Sequence, residues 1–310
     1  MLKILFTSGG SAGMEALWRL YDGVYEVHFA DAIIDAINPV VPAKNRHKIP
    51  FAGEAKFLKT VISLCDKLDI DVLIPGVDEE LSCIASSKEL FLPTKIMLPS
   101  YSFIEKMLDK LSMIKVLSSY HIPVPNTYSL QQKYNDIDFP CIIKPRKGRG
   151  SRGVLVVESK SDVDSLKSLY SNSLDNYIIQ NKPKGQEYTV QMIANNKGSL
   201  FAIVPVMVQY KRGITISATV VDEPNVIQGC RMIHDVNPAK GCYNIQLILT
   251  PDGVVMPFEI NPRISTTFCL SVAAGIDPIA IFLKDVSVNK LKKFNTNVKL
   301  YRHWSNYLVS

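Results

Sequence analysis

A turn signal at Asp252-Gly253 constrains the fold of this chain more than any other short feature. Segments that alternate polar and apolar residues flank it on both sides, over residues 244–263. Asp-Gly between such segments is typical of a two-residue hairpin turn, because glycine tolerates the positive φ that the turn requires. With Asp252 and Gly253 in the turn, Pro251 faces Val254. We therefore expect an antiparallel hairpin here.

The register of this hairpin follows from the turn. Counting outward, Gln246 lies opposite Glu259 and Asn244 lies opposite Asn261. Strand side chains alternate between faces, so these four polar side chains share one face. The other face is apolar and suits a core, with Ile245, Leu247, Leu249, Met256, Phe258 and Ile260.

The side chains on the polar face of the hairpin can bind a metal only through oxygen atoms, which belong to one carboxylate and several amides. Such a set suits a hard cation such as Mg²⁺, which is bound by one or two carboxylates together with waters and substrate phosphates. The alternative is a solvated outer face of an antiparallel sheet. Arg263 follows Asn261 by two residues and lies on the same side if the strand persists. A fixed cation beside a metal favours the phosphate interpretation.

Composition limits the class of protein. A chain of 310 residues fits two or three packed units, and its 47% hydrophobic content is that of an ordinary globular protein. The cysteines are scattered, without a Cys-x-x-Cys pair or a secretory leader, which predicts reduced thiols in a cytoplasmic protein. No apolar run approaches the roughly 20 residues of a membrane-spanning helix. The net charge of +6 is spread along the chain, so we expect neither membrane insertion nor nucleic-acid binding.

The chain divides into an α/β leader and an α+β body. In the leader, strands at 2–6, 25–29 and 71–75 alternate with helices at 14–20, 54–68 and 79–88. This alternation predicts a parallel sheet with helices on both faces. Two helical stretches follow, at 101–107 and 110–120. Antiparallel strands are then predicted at 141–145, 154–158, 177–180, 187–194 and 200–206.

The glycine turn after the first strand invites a dinucleotide-binding interpretation. Gly9, Gly10 and Gly13 match that fingerprint in part, and Asp31 lies near the place of its acidic residue. Such turns are common in open α/β sheets. We therefore favour a compact structural turn, with a small ligand at the helix start as the alternative.

The segment from Lys144 to Gly153 joins two predicted strands and is rich in both glycine and cations. It holds three glycines within six residues and five cations within nine. Glycine lets backbone N–H groups approach a phosphate, and the cations supply charge. The segment lacks the Gly-Lys-Ser/Thr ending of a P-loop and precedes a strand. This pattern predicts a phosphate-binding lid, against the alternative of a basic, solvated hairpin tip.

The order of these motifs resembles the ATP-grasp superfamily, in the branch similar to the ATP-binding halves of the carbamoyl-phosphate synthase large subunit. The likeness spans about residues 108–280, and the leader resembles the domain that precedes ATP-grasp domains. The segments that carry it are Asp109-Lys110, Phe139 to Pro145, Gly148 to Gly153, Gly185 to Val190 and Glu259 to Arg263.

The resemblance implies a fold and its division. Residues 1–97 would form a Rossmann-like α/β leader with a parallel sheet, the pre-ATP-grasp domain. Residues 98–183 would form the small lid subdomain with a helical linker. Residues 184–310 would form the C-terminal subdomain that carries the metal site. The last two units make up an α+β ATP-grasp body with antiparallel sheets.

The resemblance also implies contacts with ATP. Lys110 and Lys144 would contact its phosphates, and Glu187 would bind the ribose hydroxyls. The lid residues that would close over the β- and γ-phosphates are Gly148, Arg149, Gly150, Ser151, Arg152 and Gly153. The hinge residues whose backbone would read the adenine edge are Gln180, Asn181, Lys182 and Pro183.

The metal ligands implied are Gln246, Glu259 and Asn261, for Mg²⁺ with Mn²⁺ as an alternative. Glu259 would bridge two ions. Many ATP-grasp enzymes have a carboxylate in place of Gln246, whereas the carbamoyl-phosphate synthase branch accepts glutamine. Arg263 would stabilise the transferred phosphoryl group. Arg212 stands where related ligases place an anion-binding arginine, with a surface cation as the alternative.

The function implied is an ADP-forming ligase that activates a small carboxylate as an acyl phosphate for attack by an amine or another nucleophile such as a thiol, with release of ADP and phosphate. The alternatives are a non-catalytic Mg·ATP sensor or assembly protein and, from the leader, an NAD-dependent oxidoreductase. Both small-molecule substrates would bind between leader and body, near Gly9 to Ser11 and Pro75 to Glu80. A homodimer is one possible assembly.

Overall fold

A computed structural model describes residues 1–284, 290–304 and 306. Within those residues the strands form separate sheets in the leader, the lid and the C-terminal part of the chain. The α/β leader and the α+β body with antiparallel sheets are both present, as predicted. In the described ranges, no helix is long and apolar enough to cross a lipid bilayer.

The leader sheet is parallel throughout. It contains β1 (Lys3–Phe6), β2 (Glu26–Asp31), β3 (Arg46–Lys48), β4 (Val72–Ile74) and β5 (Lys95–Ile96), with helices α1 (Met14–Leu20), α2 (Phe57–Leu68) and α3 (Asp78–Ser86). The strand order is β3-β2-β1-β4-β5. The order reverses between β1 and β4, and open α/β sheets bind ligands beyond the carboxyl ends of the strands at such a point.

The glycine turn after β1 is held by hydrogen bonds to the side chain of Asp31, at the end of β2. The Asp31 carboxylate accepts hydrogen bonds from the backbone N–H of Gly10 at 2.9 Å and of Ile33 at 3.0 Å. A Cβ built on Gly10 would lie 2.5 Å from Ala36 Cβ, so no larger side chain fits there without movement. These contacts agree with the interpretation of a compact structural turn.

The lid sheet is antiparallel, in the order β6-β9-β7-β8. Two helices precede it, α4 (Tyr101–Leu108) and α5 (Lys110–Ser119), and its elements are β6 (Thr127–Ser129), β7 (Cys141–Pro145), β8 (Leu155–Val157), α6 (Lys160–Leu169) and β9 (Tyr177–Asn181). Asp109 caps α5 by accepting from the N–H groups of Leu111 and Ser112. The sequence patterns did not predict β6 or α6.

The C-terminal sheet is also antiparallel, in the order β14-β13-β10-β11-β12-β15. Its elements are β10 (Gln186–Ala194), β11 (Leu200–Arg212), β12 (Ile214–Val220), α7 (Pro224–Val236), β13 (Cys242–Leu249), β14 (Val255–Asn261), α8 (Cys269–Ala273), α9 (Pro278–Phe282) and β15 (Lys299–Tyr301). One face packs against α4, α5 and α7. Part of the opposite face packs against the leader, and the remainder is polar.

The hairpin of β13 and β14 confirms the predicted pairs, with Gln246 opposite Glu259 and Asn244 opposite Asn261. The predicted two-residue turn is wrong. Thr250 N donates to Val254 O, so three residues form the turn, and Gly253 takes a φ of 84°. A register shift between Gln246 and Leu247 compensates for the extra residue.

The compensating bulge moves one side chain off the predicted apolar face. Leu247 pairs with Pro257, so Phe258 is the unpaired residue of β14. Phe258 lies in the cavity described below, beside Lys144, and does not join the core. A bulge places two consecutive residues opposite one, which interrupts the alternation that the prediction assumed.

The leader packs closely against the body, with a shared apolar cluster and polar contacts between them. Tyr25 of the leader donates from its hydroxyl to Asp277 Oδ2 at 2.6 Å. Gly13 has a φ of 99°, and a Cβ built on it would lie 2.6 Å from Thr266 O. The body backbone therefore closely approaches the start of α1, which puts the carboxyl end of the leader sheet beside the polar face of the hairpin.

Candidate active site

A cavity of about 470 Å³ lies between the lid sheet and the C-terminal sheet. Most of the predicted site residues line it: Lys110, Lys144, Gly148, Arg149, Gly150, Ser151, Arg152, Gln180, Asn181, Lys182, Pro183, Glu187, Gln246, Glu259, Asn261 and Arg263. Gly153 and Arg212 are not part of its lining. The cavity thus brings together segments from both sheets, the hinge between them and the glycine-rich loop.

The polar face of the C-terminal sheet forms the floor of the cavity. Across it, Thr189 pairs with Gln246, which pairs in turn with Glu259. Directly paired residues of an antiparallel sheet share a face, so these side chains stand side by side. Among them Glu259 is the carboxylate, and the others contribute neutral oxygens.

Asn261 is oriented by its neighbour across the hairpin. Its Nδ2 donates to Asn244 Oδ1 at 3.2 Å, and Asn244 Nδ2 donates to Arg263 O at 2.9 Å. Both asparagines are buried. Since the amide nitrogen of Asn261 is engaged, its Oδ1 is the atom left to coordinate a ligand.

The donor set fits Mg²⁺ bound together with phosphates. Gln246, Glu259 and Asn261 offer hard oxygens, and one carboxylate suffices when waters and phosphates complete the coordination. Among the residues that the structure describes, no group of three His, Cys, Asp or Glu side chains could form an all-protein cage. Lys110 Nζ lies 3.2 Å from Glu259 Oε1, so a lysine contacts this carboxylate directly.

Lys144 brings a buried cation to the same cavity. Its Nζ donates to Phe258 O at 3.4 Å and lies 5.2 Å from the centre of the Phe258 ring. Burial lowers the pKa of Lys144 to about 8; Glu259 opposes this shift, and the nearby Lys110 and Lys211 add to it. A bound polyphosphate would favour the charged form, so the site is suited to an anion.

The glycine-rich loop is tied to the floor through Lys110, whose Nζ donates to Gly148 O at 2.9 Å. Gly148 and Gly150 have φ values of 130° and 66°. A Cβ on either glycine would meet no atom within 4 Å, so backbone conformation, and not crowding, demands glycine here. The loop therefore owes its shape to residues that can adopt positive φ.

The hinge between β9 and β10 has its side chains engaged away from the cavity. Gln180 Nε2 donates to Thr127 Oγ1 at 2.7 Å, and Asn181 Oδ1 accepts from Asp138 N at 3.0 Å. Ile142 and Ile248 line the cavity from the two sheets. An apolar slot beside a hinge backbone suits a flat heterocycle.

Lys211, and not Arg212, faces the cavity. Val206 pairs with Thr189 and so lies on the cavity face, and uninterrupted alternation would put Arg212 there too. Register shifts between Val208 and Lys211 change this parity. Lys211 Nζ consequently lies 2.8 Å from Glu187 Oε1 and 3.5 Å from Gln246 Oε1. Arg212, which was predicted for the site, is exposed and is not among the residues that line the cavity.

Arg263 reaches across to the leader. Its Nε donates to Asp78 Oδ1, and its Nη1 donates to Ile264 O at 3.0 Å. A second bridge joins Arg149 Nε of the loop to Glu79 Oε2 at 3.0 Å. The predicted substrate segment Pro75–Glu80 thus borders the cavity through two ion pairs.

Glu80, the last residue of that segment, stabilises it by hydrogen bonds to its buried carboxylate. One of its carboxylate oxygens accepts from the N–H groups of Gly76 and Val77 and from the Thr7 hydroxyl. Burial raises the pKa of Glu80 to about 7, against the lowering effect of these hydrogen bonds. Glu80 therefore holds together the ends of β1 and β4, where the strand order reverses.

Several cavity residues were not predicted: Thr189, Lys211, Thr215, Ser265, Thr266 and Thr267. Gln191 Nε2 donates to Ser265 Oγ at 2.6 Å and to Thr267 Oγ1 at 3.2 Å, which shapes the loop after Arg263. Thr189 could have been predicted, because it lies two residues after Glu187 in β10 and its side chain is therefore on the same face of the sheet. The residues of the loop after Arg263 show no helical or strand periodicity, so the sequence patterns provided no reason to place them in the cavity.

Comparison with known proteins agrees with this geometry. A profile of the ATP-grasp domain family matches residues 107–267. A D-alanine–D-alanine ligase of Fervidobacterium nodosum is 33% identical over 103 residues, which are 30% of this chain and 31% of the ligase. The carbamoyl phosphate synthase large chain of Clostridium botulinum is 26% identical over 160 residues, 47% of this chain and 15% of that one. The matches thus span less than a third of either relative.

Solved structures share the fold over nearly the whole chain. The biotin carboxylase of Campylobacter jejuni, solved as a β-γ-ATP complex, superposes with a TM-score of 0.69 at 16% identity, covering 96% of this chain and 74% of that one. The biotin carboxylase domain of Hydrogenobacter thermophilus 2-oxoglutarate carboxylase, solved as a dimer with MgADP, ADP and bicarbonate, gives 0.67 at 11% identity, covering 96% and 73%. At these identities the likeness extends to the fold alone.

Proposed function

The chain belongs to the ATP-grasp family, and from that premise we propose that it is an ADP-forming ligase. It would activate a small carboxylate as an acyl phosphate and pass the acyl group to an amine or another nucleophile. ATP and Mg²⁺ are typical of this family, and similar proteins have been solved with ADP or ATP and with Mg²⁺.

One observation carries this proposal: the oxygen ligands and the cations that phosphoryl transfer needs converge on a single cavity. Gln246, Glu259 and Asn261 are adjacent on its floor. Lys110 contacts Glu259, and Lys144 lies close enough to influence the same carboxylate. Phosphoryl transfer asks a protein chiefly for positioning and charge neutralisation, and these side chains supply both.

Each of these side chains has a proposed part. Lys110 and Lys144 would bind phosphate oxygens, and Glu259 and Asn261 would hold Mg²⁺, with Gln246 as the weaker ligand. The bound metal would neutralise the phosphates and hold them in line for transfer. Lys211 would exchange its contact with Glu187 for a ligand oxygen, leaving that carboxylate to the ribose hydroxyls.

Arg263 and the glycine-rich loop would protect and stabilise the acyl phosphate. Arg263 presents a planar guanidinium, which pairs well with carboxylate and phosphoryl oxygens. The loop from Gly148 to Gly153 would close over the phosphates and exclude water, because an acyl phosphate hydrolyses in open solvent. The acid and the nucleophile would enter beside Pro75–Glu80, which Asp78 and Glu79 already join to the site.

A screen for ADP and phosphate release tests the proposed activity. Panels of small carboxylates are combined with amines and thiols in the presence of MgATP, and products are identified by mass. We expect one class of pair to release ADP and phosphate in a 1:1 ratio with the condensed product. Tight Mg·ATP binding without ADP from any pair would support the sensor alternative instead. NAD(H) binding in a fluorescence titration would support the oxidoreductase alternative.

The Glu259→Gln variant separates chemistry from fold. It removes the carboxylate of the floor while keeping the size of the side chain, so ADP release should fall by a factor of at least about 100. Its circular dichroism should match that of the wild type. Glu158→Gln, in an exposed position after β8, is the control and should retain full turnover. Wild-type ADP release from the Glu259→Gln protein would contradict the assignment.

A further inference from the structure

The guanidinium of Arg263 is held from two directions. Asp78 of the leader accepts from its Nε, and the backbone oxygen of Ile264 accepts from its Nη1 at 3.0 Å. Two contacts at different nitrogens of a planar group fix both its position and the direction of its plane. Of its five N–H groups, the described contacts use two, which leaves the others for a ligand in the cavity.

The Arg263–Asp78 contact is largely shielded from solvent and joins distant parts of the chain. The side chains are only 13% and 11% exposed, and 185 residues separate them. By contrast, the nearby Arg149–Glu79 pair is 32% and 54% exposed. A charge-assisted hydrogen bond that is largely shielded from solvent holds its geometry better than an exposed pair does, because solvent screens the exposed pair.

Asp78 itself lies beside a hydrogen-bonded segment of the leader. It is the first residue of α3, directly after the segment that Glu80 binds through the N–H groups of Gly76 and Val77. The same Glu80 carboxylate accepts from Thr7 at the end of β1. The position of Asp78 is therefore tied to the ends of β1 and β4 in the leader sheet.

We propose that Asp78 is a positioning residue that aims Arg263 at the reacting groups, so that the leader completes the active site of the body. This inference rests on the proposed function, because it assigns Arg263 to the phosphoryl or acyl phosphate group. Without Asp78, Arg263 loses the contact that fixes its Nε edge. Misplacement by about 1 Å can cost roughly 100-fold in rate.

A double-mutant cycle with the carboxylate–amine pair found in the screen tests the coupling. We expect Asp78→Ala to lower kcat by about tenfold or more, while the KM for ATP changes by less than about threefold. In the Arg263→Ala background, Asp78→Ala should cause no further loss of kcat. Asp78→Asn keeps an acceptor oxygen and should restore part of the rate. Glu15→Gln, which breaks the exposed Glu15–Arg19 pair, should leave kcat unchanged.

A spectroscopic readout follows Arg263 without turnover. The ¹⁵Nε–H signal of Arg263 is identified by its loss in the Arg263→Lys protein, in the absence of ligands. In the wild type we expect it to exchange slowly with solvent, because Asp78 accepts its proton, and in Asp78→Ala we expect exchange to accelerate by about tenfold or more. An unchanged signal in a folded Asp78→Ala protein would overturn the inference.

Failure of the inference and failure of the proposed function give different results. A wild-type protein that forms no ADP with any pair overturns the proposed function and with it the catalytic meaning of the contact. An active wild type in which Asp78→Ala and Arg263→Ala lower kcat additively overturns the inference alone. Additive losses would mean that Asp78 acts through something other than Arg263.

Discussion

Replacing Lys144 by methionine should stabilise the nucleotide-free protein while destroying its use of ATP. Burial lowers the pKa of Lys144 from 10.5 to about 8, which corresponds to a cost of about 3 kcal/mol for keeping the charged form at neutral pH. The variant also loses the 3.4 Å hydrogen bond to Phe258 O, worth about 1 kcal/mol. The net gain in the free energy of unfolding is then about 2 kcal/mol.

The gain should depend on pH with a definite sign. Because the pKa of Lys144 is lowered by folding, the folded protein binds fewer protons than the unfolded chain between about pH 8 and pH 10.5. Stability therefore rises with pH across this window in the wild type, and the Lys144→Met variant lacks this rise. The variant should be about 2 kcal/mol more stable than the wild type below about pH 8. Above about pH 10.5 it should be about 1 kcal/mol less stable, because only the lost hydrogen bond to Phe258 O then distinguishes the two proteins.

Urea unfolding at pH 7 and pH 10, with and without MgADP, measures both effects. Without nucleotide the variant should unfold at the higher urea concentration at pH 7, and MgADP should stabilise the wild type alone. Lys115→Met changes an exposed lysine of α5 and should show neither the gain nor its pH dependence. A Lys144→Met protein that is less stable than the wild type at pH 7 would refute the claim that this buried charge is costly.

Further changes test other parts of the structure. Lys211→Ala should weaken MgADP binding about tenfold in calorimetry, whereas Arg212→Ala should change it less than about twofold, because only Lys211 faces the cavity. Gly13→Ala should lower the free energy of unfolding by about 1–3 kcal/mol, since its φ is 99° and the new Cβ would lie 2.6 Å from Thr266 O. Asp109→Ala removes the cap of α5 and the partner of Arg146, and should cost about 1–2 kcal/mol in the same measurement.

Local patterns predicted the floor of the site well. The alternation around Asp252-Gly253 paired Gln246 with Glu259 correctly, although the bulge at Phe258 was needed to compensate for the wrongly predicted turn length. The glycine-rich loop was visible from composition because only glycine combines positive φ with an open approach. Both features depend on neighbouring residues, so a single sequence contains what is needed to infer them.

Features that depend on irregular or distant geometry escaped prediction. The bulge at Phe258 and the register shifts before Lys211 changed which side chains face the cavity, and no residue type announces them. The contact between Arg263 and Asp78 joins segments 185 residues apart, so it appears only after the leader has packed on the body. Arg212 was predicted for the site, whereas its neighbour Lys211 lines the cavity.

Because of the bulge at Phe258, the pairing of the predicted metal ligands Gln246 and Glu259 is kept although the hairpin loop is one residue longer than predicted. The three-residue turn shifts the residue pairs next to the loop by one position, and the bulge at Phe258 restores the predicted pairing from Glu259 onward. We therefore expect the largely exposed turn at residues 251–253 to tolerate an insertion. A fluorescent reporter or an affinity tag could be placed there while Gln246 and Glu259 stay in line.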